Sequence, residues 1–292
     1  MGGPSGRPFC CPRKTANLRS RIHHSNKNMK STRLLLILST VTLFGACATQ
    51  QEVDDAPNQS YLWVRDSAEY RAVSRQVYRA SSMSLPVLIA DETWSAIPYQ
   101  TNAENLPPAI IMDIDQTLVN GVDFQLGHEP PFTGKKFDDW NASHVAMPVP
   151  GASEFVKLAR ASGVRVFFLT NRYCDAAADG SCVQKQIAAQ DLVEAGIPAV
   201  DDDVTLAGER PGWGSEKKVR RDHIAEDFRV IMLFGDDLGD FIPCVRRRPV
   251  APCTEGGTIA NRYALTDEHD AYWGAGWYIV PNPMYGSWTS VR

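Results

Sequence analysis

The sequence predicts an α/β protein with a doubly wound, Rossmann-like parallel sheet. Two observations support this: strands that are apolar throughout alternate with helices, and pairs of acidic residues stand at the ends of two of those strands. Strands of this kind are buried on both faces, because helices cover both sides of a parallel sheet. In such a fold, ligands bind beyond the carboxyl ends of the strands.

The predicted elements follow in a regular order from residue 61 onward. Apolar residues at helical spacing predict helices over 61–94, with Pro86 dividing the segment into two. A strand begins near Ala109, and residues 121–148 are irregular, with Gly, Pro and aromatic residues. Helices and strands then alternate in the order PGASEFVKLARASG, VRVFFLT, SCVQKQIAAQDLVEAG, DDVTLAG, GSEKKVRRDHIAEDF and RVIMLFGDD.

The N-terminal residues do not belong to this fold. Residues 29–46 have a basic start, an apolar run and small residues at their end, which is typical of a secretory signal peptide too short to span a bilayer stably. The end of this segment, LFGAC, is similar to a bacterial lipobox, with Cys47 as the lipidated first residue. Phe44 stands where such motifs usually have Leu, and an ordinary signal peptide is the alternative.

The segments on either side of the signal peptide are polar. We interpret residues 1–28 as an upstream extension from a start codon placed too early, with Met29 as the better start. Residues 47–59 read as a tether, and a lipid at Cys47 would be the membrane anchor. Residues 1–46 hold eight basic residues and no acid, which leaves 22 of the 30 basic residues against 34 acidic ones, a net charge of −12. That charge excludes a nucleic-acid polymer as partner.

The cysteines are typical of an exported protein. Four remain after Cys47, in two local pairs, Cys174 with Cys182 and Cys244 with Cys253. Four cysteines allow three connectivities, and we favour the two local disulfides, which suit an oxidising periplasm or cell surface. The alternative is a metal site, but the spacing is not that of zinc ligands and no histidine accompanies it.

Acidic and hydroxyl side chains meet at one edge of the predicted sheet. Asp113 and Asp115 follow one strand, Asp236 follows another, and Thr170 ends a third. Carboxylates that converge would repel one another unless a hard cation lies between them, and few carboxylates with open positions suit Mg²⁺ better than Ca²⁺. The sequence therefore predicts a Mg²⁺ site at this edge.

Seven motifs follow one another between about residues 60 and 290. The first strand ends in DIDQT, and the other segments are SAEYRAVSRQVYRA, PVPGASEFVKLA, FFLTNR, KKVRR, FGDDLGDF and VPNPMYGSW. DIDQT is similar to the D-x-D-x-T signature of phosphatases of the haloacid dehalogenase (HAD) superfamily, which alone would be weak. Together and in their order along the chain, the motifs resemble those of the class C acid phosphatases, lipoproteins of HAD subfamily IIIB with nucleotidase activity. The resemblance implies a HAD-type sheet with a small helical or irregular cap inserted at about 121–148.

The resemblance also implies a role for each site residue. Asp113 would be the nucleophile that forms an aspartyl-phosphate, and Asp115 the general acid and base whose main-chain carbonyl also binds Mg²⁺. Thr170 would hold a phosphoryl oxygen, and Asp236 would be the carboxylate metal ligand opposite Asp113. Asp240 would support Asp236 from behind.

Two positions stay open in this comparison. Lys217 and Lys218 compete for the role of the lysine that neutralises the transferring phosphoryl group, and the spacing to the two arginines of KKVRR favours Lys217. Asp237 stands where the family usually has Asn. The sequence does not show whether Asp237 faces the metal.

Aromatic residues are the candidates for substrate recognition. Stacking on a nucleobase needs flat apolar faces near the phosphate site, and Phe132, Trp140 and Tyr285 could provide them, although each could equally be core. The expected activity is Mg²⁺-dependent hydrolysis of small-molecule phosphate monoesters, such as nucleoside monophosphates, by a lipoprotein of the outer membrane or periplasm. The alternative is a non-catalytic ligand-binding lipoprotein on the same fold. The oligomeric state stays open, with a homodimer among the possibilities.

Overall fold

A computed structural model of the chain describes residues 58–177 and 180–292. The predictions for residues 1–28, the signal peptide 29–46, Cys47 and nearly all of the tether lie outside the described residues. The strands are β1 (Pro108–Met112), β2 (Val119–Asn120), β3 (Met147–Pro148), β4 (Arg165–Tyr173), β5 (Val204–Ala207), β6 (Arg229–Gly235) and β7 (Trp277–Ile279). The helices are α1 (Gln59–Asp66), α2 (Ala68–Ala90), α3 (Val122–Gly127), α4 (Gly134–Asn141), α5 (Ala152–Ala161), α6 (Val183–Glu194), α7 (Lys218–Asp227) and α8 (Ile259–Glu268).

Five strands form a parallel sheet in the order β5-β4-β1-β6-β7. The chain runs from β1 outward through β4 to β5, and then returns to the other side of β1 for β6 and β7. This is the doubly wound topology that the sequence predicts, and its direction reverses at β1. Every residue of β6 is buried, as expected of a strand covered on both faces.

Helices cover both faces of the sheet. Ile110 of β1 belongs to a hydrophobic cluster that includes Tyr78 of α2 and Phe155 of α5. Ile111, whose side chain points to the other face, belongs to a second cluster with Ile224 of α7. Two apolar cores therefore hold the sheet between them, and β1 contributes to both.

The start of α5 depends on Gly151. Its φ of +97° lies in the left-handed region, and a Cβ at this position would lie 3.0 Å from the Cβ of Tyr78. Glycine therefore permits both the turn before α5 and the close approach of α5 to α2.

The prediction that Pro86 divides the first helical segment is wrong. α2 continues through Pro86 to Ala90, and the break between α1 and α2 lies at Ser67. The Ser67 hydroxyl accepts a hydrogen bond from the Tyr70 N–H at 3.0 Å, which is a typical helix N-cap. Pro86 lies close to the end of α2, where the loss of one backbone hydrogen bond is tolerated because the helix packs against the core.

Residues 121–148 form a small cap rather than a wholly irregular insertion. They contain α3 and α4, and the antiparallel pairing of β2 with β3 brings the two ends of the insertion together directly after the DIDQT motif. Phe124 lies at the centre of the cap, and the rings of three other aromatic residues lie 5.1–6.1 Å from its ring: Phe132, Phe137 and Trp140.

The helix predicted over 214–228 begins only at Lys218. The preceding residue Glu216 is buried and accepts a hydrogen bond from the Cys244 N–H at 3.2 Å, so this part of the chain is fixed by a loop contact instead.

Two disulfides join cysteines that are close in the sequence. Cys244 is bonded to Cys253, and Cys174 to Cys182, which are the two local disulfides that we favoured. Across residues 58–177 and 180–292, no helix is long and apolar enough to cross a membrane.

Candidate active site

The carboxyl ends of three neighbouring strands meet at one crevice. Asp113 follows β1, Thr170 lies near the end of β4, and Asp236 follows β6. The Asp113 N–H donates to the Phe234 carbonyl of β6 at 3.0 Å, so the backbone of Asp113 remains part of the sheet while its side chain enters the crevice. The rule that ligands bind at these strand ends therefore locates the site.

Three acids and one lysine form the centre of the site. Carboxylate oxygens of Asp113, Asp236 and Asp240 all lie within 4.8 Å of one another. The Lys217 ammonium lies 2.5 Å from Asp113 Oδ1 and 2.6 Å from Asp240 Oδ1. Asp113, Asp240 and Lys217 are all buried, so these charges interact with little screening by water.

The acids outnumber the lysine, and their pKa values reflect this. Burial, together with the Asp240 and Asp115 carboxylates, raises the pKa of Asp113 to about 7 even though Lys217 opposes the shift. Burial and the neighbouring Asp113 and Asp240 raise the pKa of Asp236 well above its ordinary value. Burial alone would lower the pKa of Lys217, but Asp113 and Asp240 raise it, so Lys217 stays charged. The cluster therefore carries more negative than positive charge, and a further cation would reduce the repulsion between its carboxylates.

A glycine permits Asp240 to approach the other acids. A Cβ on Gly235, the last residue of β6, would lie 2.2 Å from the Asp240 side chain. The chain turns back through a short 3₁₀ helix over Leu238–Asp240, which brings Asp240 over Gly235. Asp240 thus lies in direct contact with Lys217 and close to Asp236, rather than behind Asp236 alone.

Asp237 faces away from the three acids. Its Oδ1 accepts hydrogen bonds from the Gly239 N–H at 2.8 Å and from the Ser287 hydroxyl at 2.7 Å. Asp237 therefore closes the turn after β6 and ties it to the C-terminal segment. The carboxylate that stands where the family usually has Asn has its partners outside the acid cluster.

Asn282 is a site residue that sequence reasoning missed. Its Nδ2 donates to Asp236 Oδ2 at 2.6 Å, and its Oδ1 accepts from the Met284 N–H at 3.0 Å. The amide thus orients Asp236 from the C-terminal segment. Asn282 lies in the motif VPNPMYGSW, which carried part of the family resemblance but did not indicate a contact with Asp236.

Asp115 is held by an arginine that we did not single out. The Arg172 Nε and Nη2 donate to the two carboxylate oxygens of Asp115 at 3.1 and 2.8 Å. The Thr170 hydroxyl lies 3.5 Å from Asp115 Oδ2 and accepts a hydrogen bond from the Arg172 N–H at 3.1 Å. The Asp115 side chain remains 18% exposed, so it is still open to a substrate.

The start of α7 connects all three strand ends. Lys217, just before α7, pairs with Asp113 after β1, and Arg220 donates to the Thr170 carbonyl of β4. Arg221 donates to the Asp240 carbonyl after β6 at 2.8 Å. The motif KKVRR therefore supplies one cation to the carboxyl-terminal part of each of the three strands that form the site.

Lys218 points away from this centre. Its ammonium lies 2.6 Å from Asp222 Oδ2 on the same helix and 4.2 Å from the centroid of the Tyr99 ring. Of the two lysines, Lys217 is the one that contacts the site acids.

A comparison with known families agrees with this geometry. The family model described as HAD superfamily, subfamily IIIB (Acid phosphatase), matches residues 17–288. The chain belongs to this family of acid phosphatases. The match confirms the resemblance that the motifs indicate, and the phosphatase is therefore a phosphomonoesterase whose substrates are small-molecule phosphate esters.

Solved structures of class C acid phosphatases share the fold. The Class C acid phosphatase from Bacillus anthracis is 24% identical, with a TM-score of 0.61, and the match covers 79% of this chain and 85% of that one. A second structure, of the Class C acid phosphatase from Bacillus anthracis with tungstate bound, is also 24% identical over the same shares, with a TM-score of 0.62. The HAD fold of this phosphatase is thereby shown.

The three aromatic candidates of the phosphatase have different environments. Phe132 is 57% exposed at the edge of the cap. Trp140 is partly buried and stacks on Phe137 at 6.1 Å between ring centroids, so it also belongs to the core of the cap. Tyr285 packs against the apolar cluster that contains Val122 and Met284, and burial raises the pKa of its hydroxyl well above the ordinary value.

Proposed function

We propose that the phosphatase hydrolyses nucleoside monophosphates and similar organic phosphates in a Mg²⁺-dependent reaction, through an aspartyl-phosphate on Asp113. The observation that carries this proposal is the buried contact of Lys217 with Asp113 inside a cluster of three acids. A fixed ammonium group attracts the negatively charged phosphoryl group, and the carboxylate beside it can attack phosphorus.

The donor set suits a divalent metal ion. HAD phosphatases use such a metal, and a cluster of three carboxylates, of which Lys217 pairs with two, keeps an excess of negative charge that a hard cation would neutralise. Asp113, Asp236 and the main-chain carbonyl of Asp115 would hold Mg²⁺, with Asn282 orienting Asp236. When bound, the ion supplies electrostatic stabilisation of charge on the phosphoryl oxygens.

The first half of the reaction transfers the phosphoryl group to the protein. An oxygen of Asp113 attacks phosphorus, and the bond between phosphorus and the ester oxygen breaks. Asp115 gives its proton to the departing ester oxygen, so an alcohol leaves. Lys217 neutralises charge on the group in transit, and the Thr170 hydroxyl donates a hydrogen bond to a phosphoryl oxygen.

The second half returns Asp113 to its starting state. The Asp115 carboxylate accepts a proton from water, the water oxygen attacks phosphorus, and the bond to Asp113 breaks. Inorganic phosphate leaves, and Asp115 is again protonated for the next cycle.

A solved class C acid phosphatase from Bacillus anthracis has tungstate bound. Tungstate is an oxyanion similar to phosphate, so its binding to that protein is consistent with an oxyanion site at the strand ends of this phosphatase.

The exposed aromatic ring of the cap supports a nucleotide substrate. The Phe132 ring is 57% exposed, and Tyr285 packs against the apolar cluster that contains Val122 of the cap. A nucleobase stacks on such faces regardless of its hydrogen-bonding groups. We therefore propose nucleoside monophosphates as the preferred class, with the base at the cap and the phosphate at Asp113.

A lipid on Cys47 would anchor the phosphatase outside the cytoplasm, in the outer membrane or facing the periplasm. The two disulfides support an oxidising location. Replacing Cys47 by Ser should move the processed protein from the membrane fraction to the soluble fraction on cell fractionation. Processed mutant protein that still pellets with membranes would contradict the anchor.

A colorimetric assay of phosphate release tests the proposed activity. The purified enzyme should release phosphate from a nucleoside monophosphate with Mg²⁺, lose that activity in EDTA, and regain it when Mg²⁺ is added in excess. Full activity after exhaustive removal of metal would refute the metal dependence, and no release from any monoester would refute the function.

A further inference from the structure

Arg172 binds the carboxylate of the proposed general acid, Asp115, through one edge of its guanidinium group. Its Nε and Nη2 donate to the two oxygens of Asp115 at 3.1 and 2.8 Å. Arginine is suited to this contact because its planar donors match a carboxylate in two parallel hydrogen bonds, which fix orientation as well as distance. The two hydrogen bonds therefore define the orientation of the Asp115 carboxyl group.

Arg172 is itself held from the opposite side. Its Nη1 donates to Asp191 of α6, which is buried, and Asp191 Oδ1 lies 2.5 Å from Nδ1 of His144. His144 follows α4 at the end of the cap, with a φ of +54°. The ring of Phe137, in α4, lies 5.7 Å from the guanidinium carbon. Residues of the cap and of α6 therefore fix the position of the Arg172 guanidinium group jointly.

We propose that Arg172 is a positioning residue for Asp115, and that Asp191 and His144 support it, so that the cap takes part in aligning the acid that protonates the leaving group. The inference rests on the proposed function, because it takes Asp115 to be the general acid. It adds a chain of contacts, from His144 through Asp191 and Arg172 to Asp115, that links the substrate-facing cap to the proton transfer.

The leaving group of the substrate distinguishes this role from a structural one. An alkyl phosphate needs a proton on its departing oxygen, whereas a nitrophenyl phosphate does not, because nitrophenolate is a stable anion. The ratio kcat/KM reports the steps up to departure of that group. A residue that acts through the general acid should therefore affect the alkyl ester far more than the nitrophenyl ester.

Arg172→Met is the principal variant, since it keeps the apolar stem and removes the fork. We expect kcat/KM to fall about 100-fold or more for the alkyl phosphate and less than about 10-fold for the nitrophenyl phosphate, as general acid catalysis contributes ~10²–10⁴-fold. Arg172→Lys should recover part of the loss, because it keeps the charge without the fork. Asp191→Asn and His144→Ala should also lower kcat/KM more for the alkyl phosphate than for the nitrophenyl phosphate, but by a smaller factor than Arg172→Met.

Two controls make the result decisive. Asp115→Asn should show the same selective loss on the alkyl ester. Arg229→Met removes another buried arginine, one that donates to the Leu88 and Asp91 carbonyls far from the three acids, so any loss should be equal for the two esters. Circular dichroism and melting temperatures show which variants are folded.

The outcomes separate this inference from the proposed function. Equal losses on both esters in folded Arg172→Met would overturn the positioning role and indicate that Arg172 acts on the phosphoryl group or on the fold. If Asp115→Asn keeps its selective loss in that case, the proposed function stands. If Asp115→Asn shows no selective loss, Asp115 is not the general acid, and both the acid role and the inference fail.

Discussion

Lys217 and Lys218 are neighbours in the chain with opposite surroundings. Lys217 is buried between Asp113 and Asp240, while Lys218 pairs with Asp222 on the outer face of α7. Spacing to the arginines favoured Lys217, but only the geometry shows which ammonium contacts the acids. The helix start separates them, because Lys217 precedes α7 and Lys218 is its first residue.

This difference gives a prediction with a built-in control. Lys217→Met should lower kcat/KM for any phosphate ester by about 10²–10³-fold, the usual cost of removing one fixed donor from a transition-state site. Lys218→Met should stay within about 2-fold of the wild type, since a partly exposed ion pair contributes little. Steady-state kinetics on both variants checks this, and a larger loss in Lys218→Met would reverse the assignment.

Some residues of the site could be predicted from the sequence, and others could not. Asp113, Asp115 and Asp236 follow apolar strands, so the strand-end rule locates them without any knowledge of contacts. Arg172 and Asn282 lie in loops and strand ends whose side-chain partners are 57 and 46 residues away. No periodicity or spacing shows which of many arginines turns toward a given acid.

At the scale of elements, buried strands were easier to predict than helix limits. β1, β4 and β6 are apolar runs, and apolar runs of that length are informative. α8 and β7 were not predicted: α8 has no buried residue, and β7 has only three residues, so neither has a clear pattern. Pro86 misled the prediction because tertiary packing of α2 outweighs one missing hydrogen bond.

The cap is the element where substrate preference should be encoded. Phe132→Ala removes an exposed ring, so it should raise KM for a nucleoside monophosphate about 5- to 150-fold, the equivalent of ~1–3 kcal/mol of stacking, and leave a small alkyl phosphate unaffected. Steady-state kinetics on the two substrates measures the contrast. Met83→Ala, which removes an exposed apolar side chain on α2, is the control and should change neither value.

In the same assay, Trp140→Ala distinguishes stacking on the nucleobase from packing inside the cap. Trp140 is partly buried against Phe124 and Phe137, so its loss should also lower the melting temperature, whereas the loss of Phe132, which is 57% exposed, should lower it less. An unchanged KM for the nucleotide in both variants would place the recognition surface elsewhere, around Tyr285 and Trp288.

At the scale of the whole molecule, the winding of the sheet brings distant acids together. Asp113 and Asp236 are separated by more than a hundred residues, yet the reversal of strand order at β1 places β6 directly beside it. The fold thus holds like charges close together. Their repulsion is a cost that a bound cation removes.

This cost predicts how stability depends on pH. The pKa of Asp113 is raised from 3.8 to about 7 in the folded chain, so ionising it opposes folding, and the metal-free protein should lose stability as pH rises from about 4 through about 7. Mg²⁺ binds the ionised carboxylates. We therefore expect Mg²⁺ to raise the melting temperature at least ~3 °C more at about pH 7.5 than at about pH 5.5.

Thermal unfolding followed by circular dichroism, with and without Mg²⁺, measures this dependence. Asp236→Asn removes one of the converging charges, so it should stabilise the metal-free protein at the higher pH and reduce the effect of Mg²⁺. Equal Mg²⁺ effects at the two pH values in the unmodified protein would contradict the picture of a charge cluster that needs a cation.

The central claim is that Asp113 carries the phosphoryl group, and chemical trapping tests it most directly. In Asp115→Asn, which lacks the base for the second step, a nitrophenyl phosphate should phosphorylate Asp113 and the phospho-enzyme should then be hydrolysed only slowly, so that it accumulates. Acid quenching, reduction with borohydride and peptide mass spectrometry should then show homoserine at position 113. A burst of nitrophenol with the modification at any other residue, or with none, would contradict the account.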